Sequence, residues 1–243
     1  MPHLCQLPPS SPAELLAWDD ALLEATEAGW PETLWFWEAA SPFVVIGYGQ
    51  EIAREVDEAA CVQRQVPILR RCSGGGTVAQ GPGCLNYGLT LKIEETGPLS
   101  TITGANRWIM ERNRRALATL LGDGVHVRGH TDLALVGPHG ERKFSGNAQR
   151  RKRQALLFHG TILCQFDLSL IAELLRFPSA QPDYRESRKH LDFVANTGLA
   201  ASTVMKALCE EWQAVESLTH LPTTEMRQAL ADRYGRPEWH HRR

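Results

Sequence analysis

Four short stretches of this chain carry residue types that could do chemistry. The first is Arg70-Arg71-Cys72-Ser73-Gly74-Gly75-Gly76-Thr77-Val78. Three consecutive glycines strip every Cβ from one piece of backbone. A ligand can then lie directly against the N–H groups, and phosphate is the usual occupant of such a nest. Arg70 and Arg71 at its entrance add guanidinium forks that suit phosphate. The spacing is neither a Walker A loop nor a GxGxxG fingerprint. Triple glycines also occur in flexible turns, but the arginines and the immediate return to a strand-like run favour the anion-binding reading. The second stretch is Arg142-Lys143-Phe144-Ser145-Gly146-Asn147-Ala148-Gln149. Lys143, placed in a loop or on a strand edge among small polar residues, can neutralise a carboxylate and a phosphate at once. Arg150 to Arg153 follow it. They read as a solvated charged face that could also steer an acidic protein partner.

The third stretch is Phe158-His159-Gly160-Thr161, a histidine opening an apolar strand, where histidines are more often structural than catalytic. The fourth is Gly129-His130-Thr131-Asp132-Leu133, whose Asp132 suits magnesium, a nucleotide or a backbone amide equally well. Six cysteines are scattered along the chain with no CxxC pair, which removes zinc-finger and thioredoxin-type chemistry. Cys72 and Cys84 flank the glycine loop and Cys164 sits on a predicted strand. All three read as small packing residues.

The elements that must position these groups follow from periodicity. Ser11 to Gly29 reads as a helix with a Ser11/Glu14 capping box and Pro12 in its first turn. Thr33 to Trp37, Phe43 to Ile46, Pro67 to Arg71, Leu85 to Ile93, Val125 to Val127, Leu133 to Val136 and Phe158 to Phe166 read as strands. A turn at Gly137-Pro138-His139-Gly140 predicts a hairpin. Helices are expected over Glu55 to Gln65, Ala105 to Leu121, Leu168 to Arg176, Ser202 to Leu218 and Thr224 to Tyr234, with a polar, proline-bearing loop from Pro178 to Arg188. Hairpin signals outnumber βαβ signals, so an α+β fold with a largely antiparallel sheet packed by helices is expected. The chain has 243 residues, 43% hydrophobic, and a formal net charge of -2. That is ordinary globular composition with no global pull toward nucleic acid or anionic lipid. There is no signal-peptide pattern and no apolar run long enough to span a membrane, and the single cysteines fit a reducing compartment. A cytoplasmic protein without nucleic-acid or membrane partners is expected; the sequence is compatible with a monomer and does not fix the oligomeric state.

In their order along the chain, these motifs resemble the catalytic domain of lipoate–protein ligases, within the biotin/lipoate ligase and octanoyltransferase superfamily. The resemblance is carried by Val44-Val45-Ile46-Gly47, Arg70-Arg71 with Ser73-Gly74-Gly75-Gly76, Leu85-Asn86-Tyr87, Lys143 with Ser145-Gly146-Asn147-Ala148, and His159-Gly160-Thr161. It runs from the first helix to about Asn196, and is to the small form without a large C-terminal accessory domain. It implies a class II synthetase-like fold over residues 1–200, with 201–243 as a short helical extension packed on it.

The resemblance also implies roles. Arg71, Gly76, Thr77, Val78, Ala79 and Asp132 would bind ATP or an adenylate. Gly75, His159 and Arg70 would bind lipoate, and Lys143 would contact both substrates and be the catalytic group. ATP and Mg2+ are the implied cofactors, with Asp132 as a possible metal ligand. Lipoate is the implied acid, and the acceptor would be a lysine of a lipoyl-domain or lipoate-binding protein. Two departures from the family pattern stand out. Ala79-Gln80-Gly81-Pro82-Gly83-Cys84 replaces a frequent His-Asp pair and asparagine, and Thr131 stands where many relatives carry asparagine. The alternatives are an octanoyltransferase or lipoyl amidotransferase working through a cysteine thioester, and a non-catalytic binder of lipoylated proteins. No cysteine lies in Phe177 to Asn196, where a thioester enzyme of this superfamily could carry one. The acceptor is expected to approach over Arg150 to Arg153. The two closing helices, on whose first Val204, Leu208, Trp212 and Val215 form a stripe, are expected to act as a truncated cover over the site.

Overall fold

A computed structural model describes residues 1–138 and 140–242. The chain opens with β1 (His3–Cys5) and α1 (Pro12–Glu27). Ser11 caps α1 as expected: its side chain accepts from the Glu14 amide, and the Glu14 carboxylate accepts from the Ser11 amide at 2.7 Å. Next come β2 (Thr33–Trp37), β3 (Phe43–Ile46), α2 (Ile52–Glu55) and α3 (Glu58–Gln63). The single helix expected over Glu55 to Gln65 is divided because Val56 is extended and Asp57 caps the second piece through the Ala60 amide. β4 (Ile68–Arg70), β5 (Val78–Gln80), β6 (Cys84–Lys92), α4 (Ile102–Leu121), β7 (Val125–Arg128), β8 (Asp132–Gly137), β9 (Gly140–Arg151) and β10 (Ala155–Leu163) complete the strands. The hairpin expected at Gly137-Pro138-His139-Gly140 joins β8 to β9, with Gly137 paired to Gly140; residue 139 lies outside the described residues. The chain closes with α5 (Ser169–Leu174), α6 (His190–Phe193), α7 (Ala201–Trp212), α8 (Thr223–Ala229), a π-helical turn at Leu230–Tyr234 and α9 (Pro237–His240).

Seven strands form a mixed, largely antiparallel sheet in the order β1-β2-β6-β10-β9-β8-β7, and three form a small sheet in the order β4-β3-β5. This is the α+β fold that the hairpin-rich pattern implies. Alternation along the strands divides the core. Leu85, Tyr87, Leu89, Leu156 and Phe158 face α4 and α7, among Ile109, Leu117, Leu208 and Trp212. Their neighbours Ala155 and Leu157 face α1, among Leu15, Leu16, Leu22 and Trp35. The small sheet packs on the same side as α1, over α5 and α6, through Val44, Ile46, Leu163, Leu174 and Phe193.

Two expectations about the helical end change. α7 stops at Gln213, whose left-handed φ of 54° turns the chain, so Val215 leaves the stripe and is 84% exposed. α7 packs on α4 and α8 packs on α1, which takes both away from the glycine loop and Lys143. The expected solvated face at Arg150 to Arg153 is also mostly spoken for. Arg150 pairs at 2.7 Å with Asp20, whose carboxylate Arg233 and Tyr234 also share. Arg151 donates to the carbonyl of Leu99, and Lys152 pairs with Glu24. The burial of Asp20 explains the Arg150 pair, since a buried carboxylate requires such partners.

Gly88 shows how tightly the central strands approach. It pairs with Trp35 on one side and His159 on the other, and a Cβ there would meet the Trp35 ring at 2.1 Å. Gly88→Ala should therefore destabilise the chain by about 1–3 kcal/mol, as overpacking of a core does. Gly137→Ala, where a Cβ meets nothing within 4 Å, should stay within about 0.5 kcal/mol. Denaturant unfolding of the two variants checks the difference.

Candidate functional site

A cavity of about 870 Å³ lies between the large sheet, on its α1 side, and the small sheet. That is the size of a small-molecule site. Lys143, Gly146, Ala148, His159 and Thr161 line it from the large sheet, and Val45, Val78, Ala79 and Gln80 from the small one. Leu16 and Asp19 of α1 and Trp37 close one end. Gly75, Gly76 and Thr77 contribute the glycine loop.

Lys143 reaches this cavity because of a β-bulge. Ala148 pairs with His159 and Gly146 with Thr161, so both face α1 and the cavity. Strict alternation would put Phe144 next on that face. Instead the β8 partner of Ser145 is Leu133 while that of Lys143 is Ala134, leaving one extra residue on β9. Phe144 goes into the α4-side core and Lys143 turns to the cavity. Its ammonium folds back over Gly146, where a Cβ would sit 2.8 Å from Nζ, and pairs with Asp132 at 2.7 Å. The Tyr184 hydroxyl donates to the other Asp132 oxygen at 2.9 Å. Burial, together with the charge of Asp132, pushes the Tyr184 pKa up, so it remains a donor. The Gly146 backbone under the ammonium and His159 are separated by two ladder positions and one strand, roughly 8 Å.

The opposite wall is a relay of hydrogen bonds. Arg71 donates from Nε to Ser73 Oγ at 3.0 Å and from Nη2 to the carbonyls of Gly74 and Gly76 at 2.6 and 2.8 Å. In a planar trans peptide the N–H that follows points away from its carbonyl. With those carbonyls turned onto Arg71, the N–H groups of Gly75 and Thr77 are directed away from it. Gly75 has a φ of 86°, and a Cβ there would press on Arg71 at 3.1 Å, so the turn needs glycine. Burial lowers the Arg71 pKa to about 10, which leaves it charged at neutral pH. Ser73 lies 2.6 Å from His159 Nε2, and His159 Nδ1 lies 2.6 Å from Asp19. With Asp19 as a carboxylate acceptor, Nδ1 carries the proton and Nε2 accepts from Ser73, an assignment made from the network. This order of bonds is that of a serine-nucleophile triad. Ser73 is nonetheless only 1% exposed, does not line the cavity and already accepts from Arg71. The relay therefore orients His159 and ties the glycine loop to the sheet.

The structure brings together Lys143, Asp132, Arg71, Gly75 to Ala79 and His159 around one cavity. It does not bring Arg70 there. Arg70 is fully buried and points away, donating from Nη1 to the carbonyls of Gly47, Tyr48 and Gln50. Adjacent residues leaving a strand face opposite sides, so only one of the arginine pair can face the cavity. The C-terminal helices do not cover the cavity either: among the described residues, nothing after Val194 lines it. The cover is the loop with Pro178, Pro182, Tyr184 and Arg185, pinned where Arg185 and Arg188 stack on Phe193. Asp19, Trp37, Gln80 and Tyr184 were not among the sequence candidates. Asp19 and Trp37 sit in apolar runs that signal only burial, Gln80 lies at the end of the short β5 with no chemical motif around it, and Tyr184 lies in a loop without periodicity.

The lipoyl protein ligase A/B catalytic domain model matches residues 11–211. A putative lipoate-protein ligase A of Schizosaccharomyces pombe is 37% identical over 139 residues, covering 57% of this chain and 35% of that protein. The octanoyltransferase LipM of Oceanobacillus iheyensis is 29% identical over 194 residues, covering 74% and 70%. Among solved structures, a bi-partite lipoate protein ligase of Thermoplasma acidophilum superposes with a TM-score of 0.83 at 23% identity, covering 99% of this chain and 96% of that one. A lipoate-protein ligase A bound with ATP gives 0.82, also at 23% identity, covering 99% and 98%.

None of the six cysteines lines the cavity. Burial pushes the thiols of Cys5 and Cys72 up to about 12 and raises those of Cys61, Cys84, Cys164 and Cys209 as well. A thiolate is the nucleophile, so at neutral pH all six are held in the inert form. The unfolded thiols ionise near 9.0 and the folded ones above it, so these groups stabilise the fold below 9 and lose that contribution as the pH rises further. Titration with a thiol–disulfide reagent at pH 8 should find all six slow in the folded chain and fast after denaturation. A folded-state Cys72 or Cys84 reacting like free cysteine would contradict this placement.

Proposed function

Because the chain belongs to the lipoyl protein ligase A/B catalytic-domain family, we propose that it is an ATP-dependent lipoate–protein ligase. It would activate lipoate as the acyl-adenylate and pass the lipoyl group to a lysine of a lipoyl-domain acceptor. One observation carries this reading: Lys143 faces a glycine cradle across a cavity that no cysteine lines. A fixed ammonium between carboxylate and α-phosphate stabilises the charge that builds on the reacting oxygens. The acyl chain would run from Lys143 toward His159, between Leu16, Trp37 and Val45. The N–H groups of the glycine loop, backed by the Arg71 charge, would take the phosphates.

The residues present also fit a magnesium ion carried on the nucleotide. Mg2+ is commonly held by one or two carboxylates plus substrate phosphates, and Asp132 offers one carboxylate beside Lys143. Among the described residues no group of three or more His, Cys, Asp or Glu could hold a metal alone, so the phosphates would have to complete the shell. The loop bearing Tyr184 would shield the adenylate from water. We read residues 1–200 as the catalytic unit and 201–243 as helices docked on it, sufficient for adenylation without a second polypeptide.

The similarity to octanoyltransferases favours a second reading, acyl transfer through a cysteine thioester without ATP. The placement and protonation of the thiols weigh against it. Intact-mass analysis of apo-lipoyl domains separates the two. Lipoate, ATP and magnesium should add a lipoyl group, and an octanoyl acyl carrier protein without ATP should add nothing. The reverse outcome establishes the transferase, and activity only after a second polypeptide is supplied refutes self-sufficiency. Lys143→Ala should lower the rate of pyrophosphate release by roughly 100- to 1000-fold with an unchanged unfolding midpoint; wild-type release would remove Lys143 from the chemistry.

A further inference from the structure

The family match ends at residue 211, yet the last described residues reach back to the phosphate side of the cavity. They do so through Arg70, the arginine that does not face the cavity. The Arg70 amide donates to His240 Nδ1 at 2.9 Å, its carbonyl accepts from Trp239 Nε1 at 2.8 Å, and its Nε donates to the His240 carbonyl at 3.2 Å. His240 Nε2 lies 3.0 Å from the Tyr234 carbonyl, so that nitrogen carries the proton and Nδ1 is the acceptor. Burial lowers the His240 pKa, which favours this neutral form.

From the same side chain, Arg70 Nη1 grips three carbonyls of the Gly47–Gln50 loop, at 2.9 Å for Gly47, 3.2 Å for Tyr48 and 2.7 Å for Gln50. That loop lies directly on the glycine loop. The Tyr48 amide donates to the Ser73 carbonyl at 2.8 Å. Gln50 Oε1 accepts from Thr77 Oγ1 at 2.9 Å and from the Gly47 amide at 3.1 Å. A Cβ on Gly47 would stand 2.1 Å from the Gly75 carbonyl, so the two backbones touch. Arg242 adds a second hold, its guanidinium 3.9 Å from the Tyr48 ring centroid and 4.0 Å from that of Trp239.

We propose that Trp239, His240 and Arg242 are positioning residues for nucleotide binding: through Arg70 and the Gly47–Gln50 loop, they hold the glycine loop in its anion-binding shape. The proposal deepens the reading of the chain as an ATP-dependent ligase, and its kinetic part rests on that reading. The glycine loop needs outside support because glycine loses more backbone freedom on ordering than any other residue. A clasp that bears that ordering in the free protein spares the nucleotide from doing so. The acyl end of the cavity, built on α1, Trp37 and His159, receives no hydrogen bond from Trp239, His240 or Arg242; Trp239 only packs at the edge of the α1 core.

The test compares His240→Ala, His240→Asn, Arg242→Ala and Leu208→Ala. Asn Oδ1 can accept the Arg70 amide in place of Nδ1, and Leu208 is a core residue of α7 remote from the clasp. Amide hydrogen exchange, which requires no ligand, should run roughly fivefold or more faster at 45–50 and 73–78 in His240→Ala, the scale of one lost hydrogen bond. His240→Asn should match wild type there, and Leu208→Ala should leave both segments unchanged relative to its own global unfolding. If His240→Ala fails to fold, Arg242→Ala carries the test, with roughly twofold or more faster exchange expected at the same two segments. In steady state, His240→Ala should raise the KM for ATP roughly five- to tenfold and leave the KM for lipoate within twofold. Unchanged exchange at both loops, an equal rise of both KM values, or no rescue by asparagine overturns the proposal. Wild-type protein that transfers acyl groups without ATP overturns the ligase reading instead, and the exchange data then judge the clasp alone.

Discussion

Between Leu133 and Ala134 the β8–β9 ladder gains one residue on β9, and that bulge decides on which side of the sheet Lys143 lies. Without it, alternation from Ala148 and Gly146 would carry Phe144 into the cavity and Lys143 into the apolar layer against α4. An unpaired ammonium in that layer would cost several kcal/mol, so the register and the site stand or fall together. Gly146 completes the arrangement by giving the lysine stem room to fold back toward Asp132. The short, exposed hairpin at Gly137 and Gly140 can absorb the added residue at little cost.

The second constraint is the relay from Arg71 through Ser73 and His159 to Asp19. It joins three separate pieces of chain: the segment that runs from the end of β4 into the glycine loop, β10 and α1. Each member is largely buried and has a partner, so the loop that should receive an anion is held by the core and not by its own flexible backbone. Arg70 braces the Gly47–Gln50 loop that lies behind it. The arginine pair thus divides its labour by strand geometry, one guanidinium bracing the cavity wall and the other bracing the loop behind it.

Much of this was legible in the sequence. The glycine loop, Lys143, Asp132 and His159 stand out because each breaks a local pattern, and the structure places them around one cavity. The capping box on α1 and the hairpin-rich sheet follow from local rules that tertiary packing does not override. Other features depend on long-range pairing. Which arginine faces the cavity is set by the register of β4 against β3. The occupation of Arg150 is set by Asp20, 130 residues earlier. The cover over the cavity is an aperiodic loop held by stacking on Phe193, and the closing helices, periodic enough to suggest a cover, spend their apolar stripes on α4 and α1. A local helix signal says that a face is buried, not what buries it.

Two chemistries compete for a fold of this kind, a charged lysine that stabilises an adenylate and a thiolate that carries an acyl group. Here the lysine faces the cavity while the thiols are buried elsewhere and held protonated. The most direct measurement is the exchange of labelled pyrophosphate into ATP by the purified chain, with magnesium and no acceptor protein present. Exchange that appears on adding lipoate and is absent without it is the predicted result, because only a reversible acyl-adenylate step produces it. No exchange with lipoate, from a preparation that moves octanoyl groups between carrier and acceptor without ATP, would contradict the account.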